Sequence, residues 1–339
     1  MRGIKIYFCA LAILVILVGQ AFAGSPVVLK FATIEPPQSF NVKDIWGPYF
    51  DKINKAGEGV LKIVTYPGGT LGRDPRQQIK LLKGGVFDMC QVVNAYHQAD
   101  RLADDQVVGA PFTYRNCPEC SMAVHYMHEK KLLRGYEDLV VLGQVCISEY
   151  AIHTNFPVRV PSDLKGKKLR TSGKIYHALG KAFGATPVAI QVTKVAESIS
   201  RGLVDGTLQD WTGMDVFRIN DVTSFHCTGP FGTNMLMIVM TKKRYDKLPQ
   251  DARAILDKFI GRPFIEFWSW KLQGHIDRIK DSIRKSPKHT IYTPNEEEMK
   301  QWRNVINPVM SSWNKEYDRW DVLLEGYKEA IAKARETGQ

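Results

Sequence analysis

The sequence predicts an α/β protein built as two lobes that share the chain, with a cleft between them. Three observations carry this. The first hundred residues read β-α-β-α-β with short connections, which argues for a mainly parallel sheet with helices on its faces. A second α/β cycle begins near Tyr150. The last third turns helical and contains one long amphipathic helix. A length of 339 residues fits about two domains, and 44% hydrophobic with 24% charged residues is ordinary globular composition.

Met1–Ala23 precedes the fold. Arg2 and Lys5 form a positive start, and Ile6–Val18 is an apolar run too short to span a bilayer, which takes about 18 residues or more. Ala21 and Ala23 then make an Ala-x-Ala cleavage site. This is the pattern of a secretory signal peptide, so the expected product is exported and soluble. Arg2 and Lys5 leave with it and no acid does, so the net charge of +11 becomes +9. The lysines are scattered among carboxylates, with no basic run interleaved with aromatics, so no nucleic-acid partner is expected.

In the first cycle, Val27–Thr33 is a strand that the prolines of "EPPQSF" cannot continue. Trp46, Tyr49 or Phe50, and Ile53 recur at helical spacing up to Gly57. "GVLKIVTYP" and "VFDMCQVV" are strands, separated by a glycine-rich turn and a helix carrying Ile79 and Leu82. In the second cycle, "YAIHTN", "KKLRT", "TPVAI", "DGTLQDW" and "NMLMIVM" read as strands. A helix ending at Gly184 and another capped by Thr193 lie between them. Pro263 opens the long helix, with Phe264, Trp268, Leu272, Ile276, Ile279 and Ile283 on one stripe. Thr293 and Glu296 make a capping box, with Pro294 at the first helical position. The expected division is 27–149 plus about 237–262 for one lobe, 150–236 plus about 285–339 for the other, and 263–284 for the connecting helix.

No G-x-S-x-G, H-E-x-x-H, Walker or G-x-G-x-x-G motif occurs. No catalytic residue, metal or cofactor is therefore assigned. Cys117 and Cys120 form a C-x-x-C. It reads as a local disulfide or two free thiols, with a secreted thiol oxidoreductase as the enzymatic alternative. His125 and His128 share a helix face without a third metal ligand nearby.

Arg170 is more informative. It lies near the carboxyl end of "KKLRT", just before Gly173 and a helix start, and ligand crevices of open α/β sheets lie outside such strand ends. Its planar fork matches a carboxylate with two parallel bonds, which lysine cannot copy. From position alone, a ligand anion and an ion pair to Asp163 are equally open. "DGTLQDW" ends a strand in the same way and offers Gln209, Asp210 and Trp211, the last equally suited to core packing.

The ordered segments "YPGGTLGRDPRQQIKLLKGGVFDMCQV", "NFPVRVPSDLKGKKLRTSG", "ALGKAFGATPVAI" and "SISRGLVDGTLQDW" resemble the DctP-type solute-binding proteins of tripartite ATP-independent periplasmic (TRAP) transporters. The resemblance covers most of the chain after Ala23. It implies a two-lobed periplasmic binding fold that closes on a small organic acid and delivers it to a TRAP membrane permease. A binding protein for an ATP-driven (ABC) importer or a sensor kinase would look similar. Either a monomer or a dimer is compatible.

The family's carboxylate-binding arginine falls on Arg170, and its ligand-contacting segment on Gln209–Trp211. Two departures stand out. Ala151 in "EYAIHTN" replaces a further arginine of many members, and "LQD" replaces Glu-Asn-Pro after V-D-G. Together they point away from a dicarboxylate, toward a monocarboxylate with an apolar or aromatic body. Tyr150, Trp211 and Phe231 are the expected wall. From the first lobe Glu35, Ser39, Asn94 and Tyr96 follow strand ends and are expected to face the cleft.

Overall fold

The computed structural model describes residues 25–97 and 101–338, so the signal-peptide reading of Met1–Ala23 lies outside the described residues. Two sheets form. The first has the order β2 (Leu61–Tyr66), β1 (Val27–Ala32), β3 (Met89–Val93), β10 (Met235–Thr241), β4 (Leu139–Cys146). The second runs β11 (Thr290–Tyr292), β9 (Phe225–Thr228), β5 (Tyr150–Thr154), β8 (Gly206–Asp210), β6 (Lys168–Thr171), β7 (Thr186–Ala189). The α/β class with two lobes holds.

Both sheets are mixed rather than mainly parallel. β1, β2 and β3 pair in parallel, whereas β10 runs antiparallel to β3 and to β4. In the second sheet β6, β7 and β8 are parallel, and β5 is antiparallel to both β8 and β9. β10 follows the second cycle in sequence but completes the first sheet. Its six buried residues read Met-Leu-Met-Ile-Val-Met, a continuous apolar run suited to a central strand covered on both faces.

The long helix spans Arg262–Lys285, 24 residues, or about 36 Å at 1.5 Å per residue. Its buried stripe contains every residue expected of it, with Ile265 and Ser269 added. Phe264 stacks on Tyr49 of the first lobe, and further along His275 meets Asp215 of the second at 3.2 Å, so one rigid rod touches both. The segment expected in the second lobe divides. Glu296–Glu316 packs on Lys174–Ala182 of that lobe. Trp320–Glu336 instead returns to Cys117–Glu129 of the first, held by Arg335 on the buried Glu119 at 3.0 Å.

Two caps differ from expectation. Asn295, not Thr293, caps Glu296–Glu316 and forms the box with Glu298, so Pro294 lies outside the helix. A 3₁₀ turn, Val192–Lys194, stands where Thr193 was expected as a cap, and the helix starts at Val195. The cysteines also resolve differently. Cys120 bonds to Cys146 on β4, while Cys117, one turn earlier, keeps a buried thiol whose Sγ donates to the Cys146 carbonyl at 2.8 Å. Successive turns of one helix point both sulfurs at β4, but only Cys120 reaches its cysteine.

Candidate functional site

The carboxyl ends of β1, β3, β6 and β8 converge on a cavity between the lobes, where the sheets' side chains meet across the cleft. From the first lobe come Ile34, Glu35, Asn41, Gln91 and Tyr96; from the second come Tyr150, Arg170, Ser172, Gln209 and Asp210. Val93, Ile147, Val192, Val216, Phe217 and Leu236 supply apolar wall.

Arg170 is 1% exposed. Its Nε donates to the Ile190 carbonyl at 2.9 Å, Nη1 to Gln209 Oε1 at 2.5 Å, and Nη2 to the Tyr96 hydroxyl at 3.4 Å. Among the described residues no carboxylate lies within 4.0 Å of its guanidinium. Asp163 instead accepts from the backbone N–H groups of Arg159 and Val160. A buried cation ordinarily carries a paired anion, because desolvating an unpaired charge costs several kcal/mol. A guanidinium held only by neutral acceptors at a cavity wall is poised for an anion.

Gln209 is positioned by a relay of histidines. The Gln209 carbonyl can only accept, so His153 Nε2 donates to it at 3.1 Å. His153 Nδ1 is then the acceptor of His226 Nδ1–H at 2.9 Å, and His226 Nε2 accepts from His289 Nδ1–H at 3.1 Å. Burial holds His153 well below the usual range and His226 at about 4, in keeping with neutral rings. Asp210 follows as the cap of Trp211–Val216, accepting from Gly213 N at 2.8 Å and from the Thr212 hydroxyl and the Gln209 amide. A Cβ on Gly213 would collide with the Gln209 amide, so only glycine lets the capping turn close over this pair.

On the opposite wall Glu35 is buried. Asn41 Nδ2 donates to its Oε1 and Oε2 at 3.0 and 3.2 Å, and Gln91 Nε2 to Oε1 at 2.8 Å. Burial raises Glu35 to about 7 against these hydrogen bonds, with the charge of Asp210 adding to the rise. Burial likewise raises Asp210. Tyr150 stacks on Tyr176 at 4.2 Å, and its hydroxyl accepts from Asn234 Nδ2 at 2.5 Å, which seats its ring in the wall.

Six of the ten residues expected at the cleft line the cavity: Glu35, Tyr96, Tyr150, Arg170, Gln209 and Asp210. The other four sit elsewhere. Trp211 starts a helix directly after its cap, so its ring turns into the lobe, edge-on to His153 at 5.0 Å. Phe231 packs against Phe183 and Trp302. Asn94 clips the chain internally, donating to the Asp105 carbonyl and accepting from Met235 N. The Ser39 hydroxyl caps a turn, accepting from Val42 N at 3.3 Å, and does not line the cavity. Ala151 faces Gln209 in the β5–β8 ladder but does not line the cavity.

Asn41, Gln91, Ser172 and Phe217 are lining residues that the sequence reading missed. Gln91 left a signal, a lone amide inside the apolar strand "MCQVV". Phe217 left none.

The cysteines and the histidine pair do not line this cavity. Burial pushes the Cys117 thiol up to about 12, far from a reactive thiolate, and Cys120 is bonded to Cys146 rather than to its C-x-x-C partner. His125 meets Glu129 at 3.5 Å, and His128 is half-buried with its ring edge-on to Tyr136. Among the described residues no group of three or more His, Cys, Asp or Glu is placed to hold a metal ion. Nor is any described helix long and apolar enough to cross a membrane.

Comparison with known proteins places this geometry. Residues 31–316 match the family model DctP, bacterial extracellular solute-binding protein, family 7. The C4-dicarboxylate-binding periplasmic protein DctP of Rhodobacter capsulatus is 22% identical over 84% of this chain and 86% of its own length. A TRAP solute-binding protein from Rhodoferax ferrireducens T118, solved with copurified benzoate, superimposes with a TM-score of 0.85 at 25% identity. That match covers 92% of this chain and all of the other. A marine metagenome TRAP protein specific for aromatic acid ligands, solved with 3-hydroxybenzoate, gives 0.85 at 22% identity over 92% and 99%. The chain therefore belongs to the DctP family of bacterial extracellular solute-binding proteins, the solute-binding subunits of TRAP transporters.

Proposed function

We propose that this chain captures a small organic monocarboxylate with an apolar or aromatic body between its lobes and hands it to a TRAP membrane permease from the periplasm. The observation that carries the reading is Arg170, a buried guanidinium whose partners are all neutral, in a cavity that also presents aliphatic side chains, Phe217 and Tyr150 to a ligand body. A carboxylate supplies the missing charge, and the apolar wall takes the rest of the ligand. The absence of a second arginine in the lining matches one carboxylate rather than two. The benzoate of the Rhodoferax ferrireducens protein and the (R)- and (S)-mandelate of a Bordetella bronchiseptica protein (TM-score 0.80) support an acid of this size and kind.

The mechanism is lobe closure without bond chemistry. Ligand shifts an open–closed equilibrium by binding the closed form better. The test is mass spectrometry of whatever acid stays bound through native purification, followed by calorimetry with benzoate, mandelate and succinate. Tighter binding of benzoate or mandelate than of succinate is expected. A preference for succinate, or binding of none of these acids, refutes the reading.

A further inference from the structure

We propose that Glu35 reads a hydrogen-bond donor on the body of the ligand, so that the preferred ligand class is a carboxylate carrying a hydroxyl group. This rests on the carboxylate reading above and extends it to the opposite wall.

The polarity of the hydrogen bonds around Glu35 is fixed from outside the cavity. The Trp268 indole N–H can only donate, and it donates to Asn41 Oδ1 at 3.0 Å. The Asn41 amide must then turn its Nδ2 toward Glu35. The Glu35 backbone N–H donates to Thr33 Oγ1 at 3.0 Å, and the Thr33 hydroxyl donates to Gln91 Oε1 at 2.5 Å. That turns Gln91 Nε2 onto Glu35 Oε1. Two amides from two different elements are thus locked as donors, and the site is wired for an acceptor.

A carboxylate has about four acceptor positions. Asn41 and Gln91 donate to Oε1, and Oε2 receives only the longer arm of Asn41 at 3.2 Å. Oε2 is therefore the less satisfied oxygen, on a group that lines the cavity. No lysine or arginine of the first lobe lines the cavity with it. The titratable and charged side chains that share the lining are Tyr96, Tyr150, Arg170 and Asp210. Of these, Asp210 repels Glu35. A second ligand carboxylate would meet like charge there, whereas a neutral O–H would meet a waiting acceptor.

The proton on Glu35 gives a signature. In the closed cavity burial raises Glu35 to about 7, divided between acid and carboxylate at neutral pH. A ligand O–H favours the carboxylate there, so a hydroxylated ligand leaves fewer protons bound than benzoate does. A second ligand carboxylate needs the acid form, so its binding takes one up.

The experiment is calorimetry at pH 7 on the mature chain, in two buffers of different ionisation heat, with benzoate, its 2-, 3- and 4-hydroxy derivatives, and phthalate. At least one hydroxybenzoate is expected to bind about tenfold tighter than benzoate, with fewer protons left bound than with benzoate. Phthalate is expected to bind weakest. In Glu35→Gln the ratio of hydroxybenzoate to benzoate affinity is expected to fall to about twofold or less, and the proton difference to vanish. A wild-type protein that gains nothing from any hydroxyl, or shows no proton difference between the two ligands, overturns the inference without needing the variant. Persistence of both effects in Glu35→Gln overturns it as well. Failure to bind benzoate or any hydroxybenzoate refutes the carboxylate reading itself and takes this one with it.

Discussion

Replacing Arg170 by lysine keeps a positive charge at the cavity wall and removes the fork. A guanidinium has five N–H groups. Three are used by Ile190, Gln209 and Tyr96, which leaves two, one on each terminal nitrogen, for a carboxylate. An ammonium has three. If it satisfies Ile190 and Gln209, both buried with their acceptors turned inward, one N–H remains. The expected loss is one charge-assisted hydrogen bond, about 1.5–3 kcal/mol, or roughly 10- to 150-fold in Kd. The assay is calorimetric titration with benzoate, alongside thermal melts to show that the variant folds. Lys165→Ala, an exposed charge in the same loop, serves as the control and is expected to bind as the parent does. A folded Arg170→Lys protein that binds within about threefold of the parent refutes the reasoning, because bulk positive charge would then suffice.

Tyr96→Phe removes the hydroxyl that accepts from Val192 N at 2.9 Å and from Arg170, and so ties the first lobe to the second. About fivefold weaker binding is expected, mostly as faster ligand release in stopped-flow traces, and an unchanged off-rate counts against it. The disulfide Cys120–Cys146 closes a loop of 26 residues, which the chain-entropy estimate values at about 3.5 kcal/mol. Reduction is expected to lower the melting temperature while leaving ligand affinity alone, and Cys117→Ser is expected to keep that sensitivity. His226, at about 4, and His128, also at about 4, are depressed in the fold but protonate near 6.5 when unfolded. Between those values the unfolded chain binds more protons, so stability is full above pH 6.5 and declines as pH falls toward 4, by roughly 3 kcal/mol per histidine. Glu35 and Asp105, raised to about 7 and about 8, shift stability the other way over the same window, so the check is the difference between the parent and His226→Gln, and no pH-dependent difference would contradict the neutral relay.

The second-lobe wall was legible because one rule locates it. Strand ends of an open α/β sheet face the crevice, and Arg170, Gln209 and Asp210 stand at two such ends. The rule works residue by residue only while the strand lasts. Trp211 is one step beyond, and the Asp210 cap has already turned the chain, so its ring goes to the core. Asn94 fails for a different reason. It follows a strand end, yet its amide is spent holding Asp105 and Met235, and no pattern local to "NAY" announces that duty. The placement of β10 was legible only in part. The expected division gives residues from about 237 to the first lobe, but which strands receive the run is decided by partners far away in sequence, here β3 and β4. Likewise the return of Trp320–Glu336 to the first lobe depends on Glu119, Asp104 and Cys120, each about two hundred residues upstream.

On the proposed reading, Arg170 both selects the ligand and sets the cost of closing. Few polar contacts cross the cleft: Gln191 to Asp74 at 3.0 Å, and Tyr96 to Val192 and Arg170. Such bonds contribute about 1 kcal/mol each net of water, too little alone to hold two lobes together against the desolvation of a buried guanidinium. A ligand carboxylate changes that balance, because it neutralises Arg170 in the place where solvent has been excluded. A neutral solute of equal shape would fill the apolar wall but leave the charge unpaid, so it would bind the open form about as well as the closed and shift little. Recognition and closure thus rest on one electrostatic term. Substitutions at Arg170 should therefore weaken binding and closure together, whereas Tyr96, which touches both Arg170 and the far lobe, should weaken closure more than recognition.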